Sequence, residues 1–181
     1  MQSPTPRVPR RPVATRAEIE AGVTAELASV IAAARRRALR DGDRQLDTAH
    51  LLHSLIESDP HVRSDLGPGP QVARVLGYLV QRSIGYGLRW QGSVEDSGAM
   101  PVIREADVEL SGWSPSVVAA MEGALERAQR RGAPLASGVD LLACLAADPE
   151  SRAVEVLRRA GVDVARLAGR MAHPSRHASR G

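Results

Sequence analysis

His50 and His53, three positions apart, are residues whose type and spacing suit metal ligation from one helix face. No third and fourth ligand accompany them at a recognisable spacing, and a structural zinc site needs four, so the sequence supports no metal centre and no cofactor. His173 and His177 sit in a polar, Arg-containing end that reads as a disordered tail. Cys144 lies beside Leu142 and Leu145 on an apolar stretch, where a small buried hydrophobe accounts for it better than a nucleophile. No Ser/His/Asp arrangement or carboxylate pair stands out, so hydrolysis has no candidate residues. All 24 basic residues are Arg and none is Lys, a bias that GC-rich coding accounts for. It excludes a Lys-dependent phosphate loop, a Schiff base and a lysine general base.

Arginine is the remaining chemical signal. Arg35, Arg36, Arg37 and Arg40 form one cluster, and Arg127, Arg130 and Arg131 form another at a matching place. Such clusters neutralise phosphates, which makes nucleic-acid binding the alternative function. A net charge of only +3, few aromatic residues and the nearby Asp41, Asp43, Glu122 and Glu126 favour solvated helix faces instead.

The elements that carry these residues repeat. Ala34, Ala38, Gly42, Leu51, Leu52 and Leu55 return ninety positions later as Ala124, Ala128, Gly132, Leu141, Leu142 and Leu145. Thr24 returns as Ser114, and each copy ends on Asp-Pro, at Asp59-Pro60 and at Asp148-Pro149. A fixed internal period marks a duplicated supersecondary unit whose copies bury their apolar faces on each other. Val23, Leu27, Val30, Ile31, Ala34 and Ala38 recur at three- and four-residue spacing and predict one helix over about 18–40, with Thr24 a possible cap within it. Gly42 stops it, Asp47 or Thr48 starts a short Leu-rich helix, and Val72, Val75, Leu76, Leu79 and Val80 mark another. Trp113-Ser114-Pro115 opens the second unit with a cap and a first-turn Pro; its stripe is Val117, Val118, Met121, Leu125 and Ala128. Helices around Val154 to Ala160 and from Asp163 toward Met171 complete it.

The expected organisation is a disordered Pro- and Arg-rich arm over 1–17, a first repeat over 18–84, a linker over 85–112, a second repeat over 113–171 and a tail over 172–181. The linker carries extended pieces around Val102-Ile103 and Val108 to Leu110 in this reading. The arm either contacts an acidic partner or merely solubilises. With 43% hydrophobic residues but only two Trp, two Tyr and no Phe, the core is built from Leu, Val, Ile and Ala, which favours an all-α fold of two pseudo-symmetric four-helix units. No segment reads as a secretory signal or a membrane span, and a single Cys forms no internal disulfide, so a cytoplasmic protein is the default.

The order long helix, glycine stop, Leu-Leu helix, Asp-Pro and further helix, given twice, resembles the double-repeat N-terminal domain of the Clp unfoldases. The carrying motifs are Leu46-Asp47-Thr48-Ala49-His50-Leu51-Leu52 in the first unit, and Trp113-Ser114-Pro115, Leu141-Leu142 and Val156-Leu157 with Gly161-Val162 in the second. The resemblance covers about residues 18 to 171. It implies a stand-alone module without the family's ATPase engine, a non-catalytic binder of protein or peptide partners in the Clp proteolysis system. Its implied partners are the unfoldase, its substrates or adaptors, and cyclic or linear peptides. In some family members a Glu in each Thr-Glu-His segment helps bind phosphorylated arginine. Those positions are Ala49 and Val139 here, so the resemblance implies weak or no phosphoarginine binding. The family's His is His50 in one repeat and Asp140 in the other, both suited to helix capping. Its entry aromatic is Val23 in the first repeat and Trp113 in the second. With Thr24 and Ser114 these are the candidate partner-binding positions, Trp113 reading either as a hydrophobic staple or as an anchor in a partner groove.

Overall fold

The computed structural model describes residues 14–84, 95 and 112–172. The arm before Ala14, Trp90, the expected extended pieces of the linker, His173 and His177 lie outside the described residues. The order is α1 (Arg16–Ala21), α2 (Ala25–Asp41), α3 (Thr48–Ser58), α4 (Pro60–Leu66), α5 (Gly69–Ser83), α6 (Pro115–Arg130), α7 (Gly138–Ala147), α8 (Arg152–Arg159) and α9 (Val164–Ala172). The fold is all-α, with α2 to α5 and α6 to α9 as two four-helix units.

Local chemistry sets the helix limits. Thr24 Oγ1 accepts from the Leu27 amide at 3.2 Å and starts α2, while Gly42, at φ 73°, ends it in the left-handed region. Ser114 does the same for α6 through the Val117 amide, and Gly132 follows its end at φ 71°. Leu27, Val30, Ile31, Ala34 and Ala38 face the core from α2, as Val117, Met121, Ala124 and Ala128 do from α6. Each long helix packs on its Leu-rich neighbour, α2 on α3 and α6 on α7. Those two short helices form the middle of the molecule, where α3 touches α7 and α8 and α7 touches α4. Their leucines Leu51, Leu52, Leu55, Leu141, Leu142 and Leu145 are all fully buried.

The first stretch departs from the expected single helix. The chain turns at Gly22 and runs extended through Val23 and Thr24, giving α1 and α2. The reason is tertiary: Val23 forms a parallel bridge with Ala136 of the second unit. Thr15, expected in the arm, closes a capping box with Glu18 that starts α1, and Ala14 donates to Glu122 Oε1 at 2.8 Å. A helix without a readable stripe, α4, is started by Asp59, whose Oδ1 accepts from the His61 and Val62 amides.

Candidate functional site

The two units exchange backbone at a pair of crossed bridges, Val23 with Ala136 and Leu46 with Trp113. The Thr24 amide donates to Ala136 O at 2.9 Å and the Ala136 amide to Gly22 O at 2.8 Å. Ninety residues on with the roles exchanged, Ser114 donates to Leu46 O at 2.8 Å and Leu46 to Gly112 O at 2.6 Å. The entry to each long helix is thereby laid against the start of the other unit's Leu-rich helix. This brings Thr24 toward α7 and Ser114 toward α3.

Beside α3 the result is a four-donor crevice, filled by the chain itself. Glu95 Oε2 accepts from the Thr48 amide and from Ser114 Oγ, each at 2.9 Å, and Oε1 accepts from the Arg152 amide at 2.7 Å and from the Thr48 hydroxyl. The amides belong to the first residues of α3 and α8, so two helix N-termini from different units face one carboxylate. Thr48 Oγ1 also accepts from the Ala153 amide at 3.0 Å. At the matching place beside α7 the acid comes from the first unit. A Cβ on Gly138, the counterpart of Thr48, would collide with Asp59 Oδ2.

The predicted site residues divide by burial. Trp113 is 6% exposed and Val23 equally so; both belong to the core, with little surface left for a partner to cover. Ser114 and Ala49 are fully buried, whereas Thr24 and Val139 are half-buried. Cys144 is half-buried against Gly123, and desolvation pushes its thiol up to about 11, which withholds the thiolate at neutral pH.

Charged side chains crowd the start of α3. Asp47 Oδ2 accepts from Arg152 Nη1 at 2.7 Å and from Arg82 Nη2, which also reaches Asp43 Oδ2 at 3.2 Å. Burial acts to raise the Asp47 pKa, but the hydrogen bond and charge of His50, with Arg82 and Arg152, hold the carboxyl well below the usual range. His50 and His53 do not converge. His50 Nε2 lies 3.0 Å from Asp43 Oδ2 and 3.8 Å from Asp41 Oδ2, whereas His53 Nε2 lies 3.2 Å from Glu57 Oε1. The second unit inverts the polarity: Asp140, in place of His50, takes Arg131 Nε at 3.1 Å and Nη2 at 2.5 Å, with Arg127 Nε at 3.4 Å.

These pairs engage Arg127 and Arg131 of the second arginine cluster, and in the first cluster Arg37 is bound to Glu57 at 2.6 Å. Sequence reasoning missed Glu95, Arg82 and Arg152. Asp47 was visible as a helix start, but nothing local announces partners that arrive from α5 and α8.

Solved structures carry the same fold. The N-terminal domain of the caseinolytic protease associated chaperone ClpD from Arabidopsis thaliana matches with a TM-score of 0.59 at 21% identity, over 84% of this chain and 94% of that one. The fold is that of a Clp N-terminal domain. A structure from investigations of a malarial protein secretion system matches with a TM-score of 0.58 at 14% identity, over the same shares of the two chains. No protein-family sequence model matches the chain, and no curated protein matches it in sequence. Among the described residues of this Clp N-domain fold, no helix is long and apolar enough to cross a membrane.

Proposed function

We propose that the chain is a non-catalytic protein- and peptide-binding module of the Clp proteolysis system, working in the cytoplasm as an adaptor, a substrate receptor or a decoy that sequesters ligands. The observation that carries this reading is the two-unit Clp N-domain fold; the donor-lined crevice at the start of α3, filled in this structure by Glu95, shows one carboxylate held between the units. Amides from both units and the hydroxyls of Thr48 and Ser114 hold a carboxylate there. The high pKa of Cys144 removes a ready nucleophile, which supports a non-catalytic role. The fold supports the assignment to the Clp system, where the resemblance places receptors for substrates and adaptors.

The test is equilibrium binding of the purified chain to a Clp unfoldase from its own cell and to unfolded casein, with casein cleavage followed in parallel. Micromolar association with at least one of them and intact casein, with or without ATP, are the expected results. Association with neither, or cleavage by the chain alone, would overturn the proposal. Free phosphoarginine is expected to bind no tighter than about millimolar, because Ala49 and Val139 offer no carboxylate to its guanidinium end. Calorimetry giving a micromolar Kd would contradict that part. Nucleic acid is the less supported partner, because Arg37, Arg127 and Arg131 face carboxylates of the chain itself.

A further inference from the structure

The clearest unspent chemical capacity lies where α2 ends and α3 begins. The His50 ring is fully buried, and among the described residues its Nε2 has no hydrogen-bond partner although Asp43 Oδ2 is only 3.0 Å away. Asp41 Oδ2 lies 3.8 Å from the same nitrogen, and the three donor atoms fall within 4.8 Å of one another. A nitrogen and an oxygen this close, yet not aligned for a hydrogen bond, have the separation of neighbouring ligands on one ion. Bonds of about 2.1 Å at angles between 90° and tetrahedral put such atoms roughly 3.0–3.4 Å apart.

We propose that Asp41, Asp43 and His50 bind a divalent first-row transition ion, with Zn2+ the best match to one imidazole nitrogen and two carboxylate oxygens. The groups around the three donors are those such a site needs. The Asp47 amide donates to His50 Nδ1 at 3.1 Å and Asp47 Oδ1 lies 2.9 Å from the same nitrogen, so Asp47 fixes the ring and aims Nε2 at the two aspartates; an ion taken up at Nε2 moves the ring proton to Nδ1, where Asp47 Oδ1 accepts it. Ser83 Oγ donates to Asp41 Oδ2 at 3.0 Å, and Arg82 Nη2 holds Asp43 Oδ2 at 3.2 Å. The Asp43 side chain is 30% exposed, which gives an ion a path in and leaves room for water to complete its coordination.

The second unit supplies an internal control. The counterparts of Asp41, Asp43 and His50 are Arg131, Ala133 and Asp140, and there Arg131 gives the buried carboxylate a covalently attached cation. In the first unit the carboxylates stand where the second has its arginine. Arg82 already pairs with Asp43, and among the described residues an imidazole nitrogen without its own hydrogen bond faces both carboxylates, which is where the ion from solution is held. The site needs no peptide partner, and its test is independent of the binding function proposed above.

The experiment is calorimetric titration of Zn2+ into the intact, chelator-stripped chain at pH 7, with Co2+ absorption as a second readout. One ion per chain at micromolar or tighter Kd is expected, with the visible bands of four- or five-coordinate Co2+. Asp41→Asn and Asp43→Asn should each weaken binding at least tenfold, while His53→Gln and a His173→Gln/His177→Gln double variant should leave it unchanged. His50→Gln should abolish it. Because that residue is fully buried, the two Asp variants, with folding checked by circular dichroism, carry the decision. Absence of stoichiometric binding, equal affinity in both Asp variants, loss only in the His173/His177 variant, or equal competition by Mg2+ would each overturn the proposal.

Discussion

The two units share the order of their helices, their caps and their glycine stops, but they fill the space at the start of the Leu-rich helix in opposite ways. In the first, Asp47 caps α3, Thr48 follows it, and the Asp47 carboxylate gathers Arg82 and Arg152. In the second, Ser137 caps α7, Gly138 follows, and Asp140 gathers Arg131 and Arg127. Each unit thus neutralises a buried acid with arginine, but the acid has moved three residues along the helix. The scaffold constrains where a cap must stand and leaves open which side chain carries the charge.

The largest effect should separate Asp47 from Ser137. Asp47→Ala removes the carboxylate from two guanidinium groups whose side chains are only 9% and 10% exposed, and is expected to cost about 3–5 kcal/mol. Ser137→Ala removes the cap hydrogen bond from the Asp140 amide and the hydroxyl's own bond to Asp140 Oδ2, and is expected to cost about 1–2 kcal/mol. Urea unfolding of the two variants checks the difference, and equal losses would erase the distinction between the units. Next is Gly138→Thr, which makes the second unit copy the first at this position. The added Cβ meets Asp59, so the exchange should destabilise by about 2 kcal/mol or more despite giving α7 the residue that α3 has. A neutral result in thermal denaturation would mean that Asp59 moves aside freely.

The smallest effect concerns His53, whose place in the second unit is taken by Ala143. Burial, and then the charge of Arg37, push its pKa down to about 4, against the pull of Glu57 and Asp41. Between that value and the unfolded value near 6.5 the unfolded chain holds a proton that the folded one does not, so stability falls as pH drops through this window. After allowance for solvent screening, the loss from pH 7 to pH 5 should be about 1–2 kcal/mol. Urea midpoints across this range should slope less in His53→Gln; an unchanged slope would assign the acid sensitivity elsewhere.

What was legible in the chain was what local physics writes locally. The stripe from Leu27 to Ala38, the left-handed glycines Gly42 and Gly132 and the caps Thr24, Ser114 and Asp47 each depend on neighbours within a few residues. The break at Gly22 to Thr24 depends on Ala136, and the filled crevice depends on Glu95, both far along the chain. Such pairings leave no period or spacing behind. The charge inversion lay between: Arg131 and Asp140 could be seen to replace Asp41 and His50, but only the fold shows that each pair meets.

The crossed bridges also bear on how the molecule comes into being. The extended step that begins the first unit is completed by Ala136, and the start of α3 is completed by Trp113. A chain emerging in order from a ribosome therefore cannot finish its first half until the second has followed as far as Ala136. Contacts of such long sequence separation slow the search for the native state. Until Ala136 is available, the growing polypeptide offers unpaired backbone and an uncovered leucine face, a clientele's vulnerability in a protein that we assign to the machinery serving such clients.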